Sequence, residues 1–326
     1  MVNISTDKRL ELLFGLQYCL WRDGLLQDDY LQETNKQYCD DFYNLYKKYA
    51  RPELIEYIKN GGFDTFGRVC KLAYSLDENY NIKDNEASKE VEQRNPNYNR
   101  ELMSKYLQVF VKESNYDGFI EDHKEYFDAI QNLFEEKLNY MVKYDERMIT
   151  DFYGYKMDMS VKVFNFAKGS FGVSFEDKSI YTASVRPPRN DKEVVLIGNG
   201  VIGTLFHEFS HPYCNPLGYK YFSDKDFTNL FNESKQNGLE SCYNNGVTII
   251  NEYMVRAVQV FLSNKYLPKE KYSIDYDIER HKGKGFIHIK EVVDKLSLNE
   301  NYNSFDEFYE AEMVPFFTNL INKRVR

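Results

Sequence analysis

The residues of this chain that are best suited to chemistry lie in one ten-residue run, TLFHEFSHPY at 204–213. It holds His207 and His211, four positions apart, with Glu208 directly after the first histidine. Positions four apart share one face of a helix, so both imidazoles would point at the same metal ion. Glu208 would lie beside that ion, where a carboxylate can take a proton from an activated water. The spacing therefore predicts a catalytic zinc site.

Other interpretations of this run stay open on the residues alone. The histidines could be two buried side chains of an ordinary helix, or they could belong to a structural zinc site. A structural site is normally closed by four ligands, often cysteines, and Cys214 lies too close to His211 along the chain to be an obvious fourth ligand. The metzincin pattern is excluded, because it needs a glycine and a histidine where this chain has Cys214 and Leu217.

A third ligand has to come from elsewhere in the chain, and Glu252 is the best candidate. It stands in the largely apolar run 247–258, where a carboxylate is costly to bury unless something pairs with it. Arg256, one helical turn further on, could orient Glu252. The alternative is an exposed Glu252–Arg256 ion pair without a metal. Glu240 is the second choice as ligand, and Glu233 ranks lower because its surroundings are polar.

The elements that must position these side chains divide the chain into two regions. Residues 1–150 show apolar residues at helical spacing and are predicted to be mostly helical. From about residue 159 the pattern alternates and is rich in β-formers. Strands are predicted at 160–166, 171–175, 179–185 and 193–197, with a proline-containing loop at 186–190.

The motif helix is expected to begin after Asn199, a candidate N-cap, and to end near His211. Pro212 removes a backbone donor and disfavours helical geometry at the residue before it. A surface helix at 224–236 and a buried helix at 247–258 are predicted to follow. The last predicted helix opens with a capping box at 304–307 and is kinked by Pro315.

The composition narrows the classes of function. The chain has 326 residues, 42% of them hydrophobic, and a formal net charge of −9. No basic face stands out and no stretch approaches a membrane span, so we expect neither nucleic acid nor a membrane as partner. The five scattered cysteines form no CxxC pair and are expected to be reduced thiols. We expect a cytoplasmic protein, unless an export signal preceded this chain; the oligomeric state is left open.

With its HExxH run and the downstream Asn251-Glu252, the chain resembles the gluzincin group of zinc metallopeptidases. It is more closely similar to a bacterial family without an assigned function, domain of unknown function 4932. The segments that carry this likeness are RLELL at 9–13, HEFSH at 207–211, NEYMVRA at 251–257 and YNSFDEF at 302–308. Only the zinc motif among them is specific.

The resemblance implies zinc bound by His207, His211 and Glu252, with Glu208 as general base. Gluzincins also stabilise the oxyanion with a tyrosine or histidine that follows the third ligand. No position here matches that motif clearly, and His288 is the candidate. His123 and His281 stand among charged residues, and for these two we expect solvated surface side chains.

We therefore predict an α+β protein with a zincin core: a helical N-terminal region at 1–150, then a zincin-like catalytic domain at 151–326, packed as one unit. The core would combine a small twisted mixed sheet, the motif helix and a helical C-terminal subdomain. The predicted function is zinc-dependent hydrolysis of peptides or proteins, with one zinc ion. The alternatives are a non-catalytic or metal-binding interaction protein on the same scaffold and a hydrolase of non-peptide substrates.

Overall fold

One mixed β-sheet lies between two layers of helices. The structure is a computed structural model, and it describes residues 2–63, 66–141, 143–175, 178–189, 192–195, 201–223, 228–240 and 245–322. The strands are β1 (Asn3–Thr6), β2 (Asp158–Phe164), β3 (Ser170–Ser174), β4 (Lys178–Arg189) and β5 (Lys192–Val195). Their order is β1-β2-β4-β3, with β1, β2 and β4 parallel and β3 antiparallel to β4. β5 pairs antiparallel with the far part of β4.

Helices make up most of the described chain. In chain order they are α1 (Lys8–Arg22), α2 (Lys36–Tyr49), α3 (Pro52–Lys59), α4 (Phe66–Tyr74), α5 (Glu86–Arg94), α6 (Arg100–Ser114), α7 (Tyr116–Asp122), α8 (Lys124–Met141), α9 (Arg147–Tyr153), α10 (Val201–Tyr221), α11 (Thr228–Gln236), α12 (Gly246–Tyr266), α13 (Ile274–Lys282), α14 (Ile289–Leu296), α15 (Phe305–Phe308) and α16 (Val314–Asn322). A 3-10 turn at Ser297–Asn301 and a π-helical turn at Tyr309–Met313 flank α15. The mixed α+β class and the mostly helical N-terminal region are as predicted.

The four predicted strands are present, with ends that differ by a few residues. Strand β1 was not predicted; it is short and pairs parallel with β2 at one edge of the sheet. The prediction of a loop at 186–190 was wrong for residues 186–189, because β4 continues through them and pairs with β5. Prolines cannot donate a ladder hydrogen bond, and the register between β4 and β5 shifts between Arg186 and Arg189, where Pro187 and Pro188 lie. Asn199, the expected N-cap, lies outside the described residues.

The pleat of the sheet assigns each helix layer to one face. Successive residues of a strand point to opposite faces. On one face, Phe14 of α1 stacks on Phe164 of β2 with ring centres 4.7 Å apart. On the other face, Tyr181 of β4 meets Phe209 of α10 edge to face at 6.5 Å. Gly172 of β3 is paired with Tyr181, so it too faces α10.

A buried carboxylate joins the N-terminal helices to the sheet. Glu11 of α1 accepts hydrogen bonds from the Asn165 backbone N–H at 2.9 Å and from the Tyr38 hydroxyl at 2.9 Å. Burial raises the pKa of Glu11 to about 7, although the hydrogen bonds from Tyr38 and Asn165 act against the rise. Together with β1, these contacts make the helical region and the sheet parts of the same packed structure.

Helix α10 runs well past the end that the sequence suggested. It was expected to stop near His211, but it continues through Pro212 to Tyr221. Each internal proline costs a backbone hydrogen bond. Buried side chains beyond it offset that loss: Tyr213 stacks on Tyr153 of α9 at 4.0 Å with nearly parallel rings, and Cys214 is fully buried. Tertiary packing therefore overrides the local proline signal.

The C-terminal helices pack around α12, which is buried along most of its length. The predicted helix at 247–258 is confirmed and extended, with Asn245 capping it by accepting from the Thr248 N–H at 2.8 Å. The predicted surface helix is present at Thr228–Gln236, while 224–227 lie outside the described residues. Ser304 accepts from the Glu307 N–H at 3.2 Å as the predicted N-cap of α15, and the π-helical turn ends at Met313, two residues before Pro315.

Candidate metal centre

The two motif histidines lie on one face of α10, as their spacing predicts. Their rings are nearly perpendicular, with centres 4.9 Å apart. One ligand atom from each of His207, Glu208 and His211 falls within 4.8 Å of the others. The extension of α10 beyond Pro212 places this cluster inside a continuous helix rather than at its end.

Glu252 reaches the same cluster from α12. Its carboxylate oxygens lie 3.8 Å from His207 Nε2 and 3.8 Å from His211 Nε2. Arg256 Nη2 lies 2.9 Å from Glu252 Oε2, and both side chains are about nine-tenths buried, with 12% and 11% exposed. The predicted Glu252–Arg256 contact is therefore present, but it is buried against the histidines rather than on an exposed stripe.

The other acids that were considered as ligands have different surroundings from those of Glu252. Glu240 is an exposed side chain. Glu233 Oε2 lies 3.2 Å from His288 Nε2, and His288 Nδ1 lies 3.8 Å from Glu291. Among the described residues, no hydrogen bond or ion pair joins His288 to the motif histidines or to Glu252. The expected role of His288 at the oxyanion stays a prediction.

The donor atoms suit a metal ion. Burial, followed by the charges of neighbouring groups including His211 and Arg256, lowers the pKa of His207 well below its usual range, so the ring is neutral. His211 Nδ1 lies 3.2 Å from Asn215 Oδ1; an amide oxygen only accepts, which puts a ring proton on Nδ1, so the lone pair of the neutral ring is on Nε2, the nitrogen that faces Glu252. Ligands about 2.0–2.1 Å from a tetrahedral ion lie about 3.4 Å apart. The 3.8 Å separations to Glu252 are close to that spacing, and the cluster could hold a metal ion.

Glu208 lies between the His211 ring and strand β3. Burial raises its pKa and Glu252 adds to the rise, whereas the charge on His211 and a hydrogen bond from the Gly172 backbone N–H act in the opposite direction. The Gly172 backbone is in close contact with the Glu208 side chain, since a Cβ at this position would lie 2.4 Å from Glu208 Oε2. A buried carboxylate with a raised pKa, held by a backbone donor, is suited to accept and release a proton.

Two histidines were wrongly expected to be solvated. His281 is 1% exposed and its Nδ1 lies 3.4 Å from Arg256 Nη1, because α13 packs against α12. His123 is half-buried among N-terminal aromatic rings, and its Nδ1 lies 2.8 Å from the Phe119 carbonyl oxygen. Neighbouring charges along the chain hid the contacts that tertiary packing makes.

Some residues at this centre were missed by the sequence reasoning. Asn215 follows His211 by one helical turn, a spacing that could have indicated its contact with the ring. Gly172 stands inside a predicted strand, where a glycine often marks close approach of another group. Phe286, whose ring centre lies 4.5 Å from the Arg256 guanidinium, carried no signal of its place.

Comparison with known families gives one clear result. The model of the family described as Domain of unknown function (DUF4932) matches residues 20–316, and the chain belongs to this family. No curated protein and no solved structure matches the chain. In the described part of the chain, no helix combines the length and apolar character needed to cross a bilayer.

Proposed function

We propose that this member of the DUF4932 family is a zinc-dependent peptidase. The observation that carries the proposal is the convergence of α10 and α12: the Glu252 carboxylate lies 3.8 Å from the Nε2 atoms of both motif histidines, beside the buried Glu208. Two imidazoles and one carboxylate are a ligand set of catalytic zinc sites, which keep a position open for water or substrate. His207, His211 and Glu252 would hold the ion.

The chain's own groups account for the movement of the proton. When bound, zinc supplies Lewis-acid chemistry, polarising a carbonyl and making water more acidic. Glu208 accepts the proton of the attacking water and delivers it to the nitrogen of the leaving amine. Its raised pKa favours the first half of this transfer, since a carboxylate of ordinary pKa is a weaker base. The close approach of the Gly172 backbone limits the space in which the carboxylate can move between the two events.

Strand β3 favours an extended peptide as substrate. It pairs with β4 on one side, and among the described residues no strand pairs with its other side. An extended chain can add to such an edge through backbone hydrogen bonds. Because Gly172 is the middle residue of β3 and contacts Glu208, a peptide paired there would pass close to the base.

The test compares Glu208→Gln with the wild type on a peptide library, with zinc content measured on the same samples. We expect the variant to retain zinc and to lose hydrolysis, because glutamine cannot accept the proton. Glu136→Gln, on the exposed face of α8, is the matched control and should cleave like the wild type. Equal activity of Glu208→Gln and wild type would refute the mechanism.

Assays of the same samples on ester and non-peptide amide substrates separate the alternatives. A zinc-loaded wild type that cleaves no peptide, but hydrolyses ester or amide substrates of other kinds, would favour the non-peptide hydrolase. A folded wild type that hydrolyses none of these substrates would favour the interaction protein.

A further inference from the structure

Arg256 is held on three sides within the C-terminal helices. Beside its 2.9 Å contact with Glu252 Oε2, its Nη1 lies 3.4 Å from His281 Nδ1, and the Phe286 ring covers the guanidinium at 4.5 Å. A buried guanidinium stays charged and its N–H groups need acceptors. The ring nitrogen of His281 is one such acceptor, contributed by a different helix from Arg256 itself.

The neighbours of His281 limit which group its ring can accept from. Both ring nitrogens face guanidinium groups, which only donate: Nδ1 lies 3.4 Å from Arg256 Nη1 and Nε2 lies 3.3 Å from Arg280 Nη2. A neutral ring has one acceptor nitrogen, and in the tautomer with its proton on Nε2 the ring accepts from Arg256. Arg280 already has the Asp277 carboxylate as its acceptor, because its Nε donates to Asp277 at 2.7 Å and its Nη2 pairs with the same group. The same carboxylate lies 3.9 Å from His281 Nε2, which leaves Nδ1 as the acceptor for Arg256. Burial, together with the charges of Arg256 and Arg280, lowers the pKa of His281 to about 3, which keeps the ring neutral near pH 7.

A neutral acceptor in this position has a specific consequence for Glu252. A carboxylate facing Arg256 from α13 would compete with Glu252 for the guanidinium, whereas an imidazole accepts a hydrogen bond without adding a negative charge. Arg256 therefore keeps its contact with Glu252 Oε2, while Oε1 faces His211 Nε2 at 3.8 Å. A ligand carboxylate that is oriented in advance loses less conformational freedom when a metal binds.

We propose that His281 is a positioning residue of the metal site, which fixes Arg256 and through it the orientation of the Glu252 carboxylate. The inference rests on the proposed zinc function, and it assigns a role to a histidine that lies outside the ligand set.

The experiment measures the zinc dissociation constant of the metal-free full chain by competition with a chromophoric chelator. His281→Leu removes the acceptor at similar volume. Loss of a direct partner of a ligand weakens metal binding by about 10–100-fold; because His281 acts through Arg256, we expect the lower end of this range, a loss of about 10-fold. His281→Asn restores it, because Oδ1 of asparagine occupies nearly the same place as Nδ1 of the ring, and should bind zinc much like the wild type. If His281→Leu does not fold, His281→Met, whose flexible side chain adapts to irregular space, replaces it.

Thermal unfolding of the metal-free variants separates positioning from general packing. His123→Leu, at a half-buried histidine among the N-terminal helices, controls for the loss of any such side chain and should leave zinc affinity unchanged. A second comparison uses Arg256→Met alone and combined with His281→Leu. If His281 acts through Arg256, the double variant binds zinc no more weakly than Arg256→Met.

The outcomes are distinct. A wild type that stays folded and binds no zinc overturns both this inference and the proposed function. A wild type that binds zinc, together with a His281→Leu variant of the same affinity, overturns the positioning role alone. Additive losses in the double variant, or an asparagine variant as weak as the leucine variant, also overturn it.

Discussion

A methyl group on Gly172 should separate catalysis from metal binding. The Cβ of an alanine would lie 2.4 Å from Glu208 Oε2, whereas ordinary van der Waals contact begins at 3.4 Å. The carboxylate would have to move by about 1 Å, a displacement that can cost about 10²-fold in rate. Gly172 is not among the residues with positive φ, so alanine does not strain the backbone.

The assay is the kcat/KM of Gly172→Ala on a peptide that the wild type cleaves, with zinc content and thermal midpoint measured in parallel. We expect a loss of about 100-fold in kcat/KM, unchanged zinc content, and a midpoint that is equal or slightly higher. Ser174→Ala, an exposed position on the same face of β3, should behave as the wild type. Wild-type activity of Gly172→Ala would refute the close placement of Glu208, and loss of zinc would show that the methyl group disturbs the ligands instead.

Three further perturbations test the fold and the site. Glu11 has a raised pKa, about 7 against an ordinary 4.5. Its contribution to the free energy of unfolding is therefore complete below about pH 4.5, and about 3 kcal/mol of it is lost as the pH rises through 7. Glu11→Gln should remove this fall in urea unfolding at about pH 5 and about pH 8; an unaltered pH profile would contradict the shift. Gly218→Ala should lower the free energy of unfolding by about 1–3 kcal/mol, because the new Cβ would lie 1.8 Å from Asn251 Oδ1. This loss exceeds the stability that alanine adds through its higher helix propensity. A variant that is more stable in urea would contradict this packing. Asn215→Leu removes the partner of His211 Nδ1 and should weaken zinc binding by about 10–100-fold, measured by chelator competition. An unchanged affinity would show that the His211 ring does not depend on its contact with Asn215.

Local spacing made much of the site predictable from the sequence. The shared face of His207 and His211 follows from a four-residue interval, which needs no knowledge of the rest of the chain. Glu252 could be singled out because an acid in an apolar helix is expensive to bury alone, and the structure brings it to both histidines. The identity of the metal and the reaction do not follow from spacing and stay predictions.

The failures share a physical cause, which is contact between residues far apart in the chain. Pro212 is a helix terminator on local grounds, but the stacking of Tyr213 on Tyr153, sixty residues earlier, keeps α10 continuous. His281 has charged neighbours on both sides, and only the packing of α13 on α12 reveals its contact with Arg256. Local patterns carry no information about such pairs.

The central claim is that α10 and α12 together form a zinc site. Its most direct test is the zinc-to-chain ratio of the reconstituted protein, measured by mass spectrometry of the metal for the wild type and for Glu252→Gln. Glutamine keeps an acceptor for Arg256 but loses the charge of the ligand. We predict about one zinc per wild-type chain, as for a single three-ligand site, and a clear loss in the variant at limiting zinc. A folded wild type without zinc, or a variant that retains as much as the wild type, would contradict the claim.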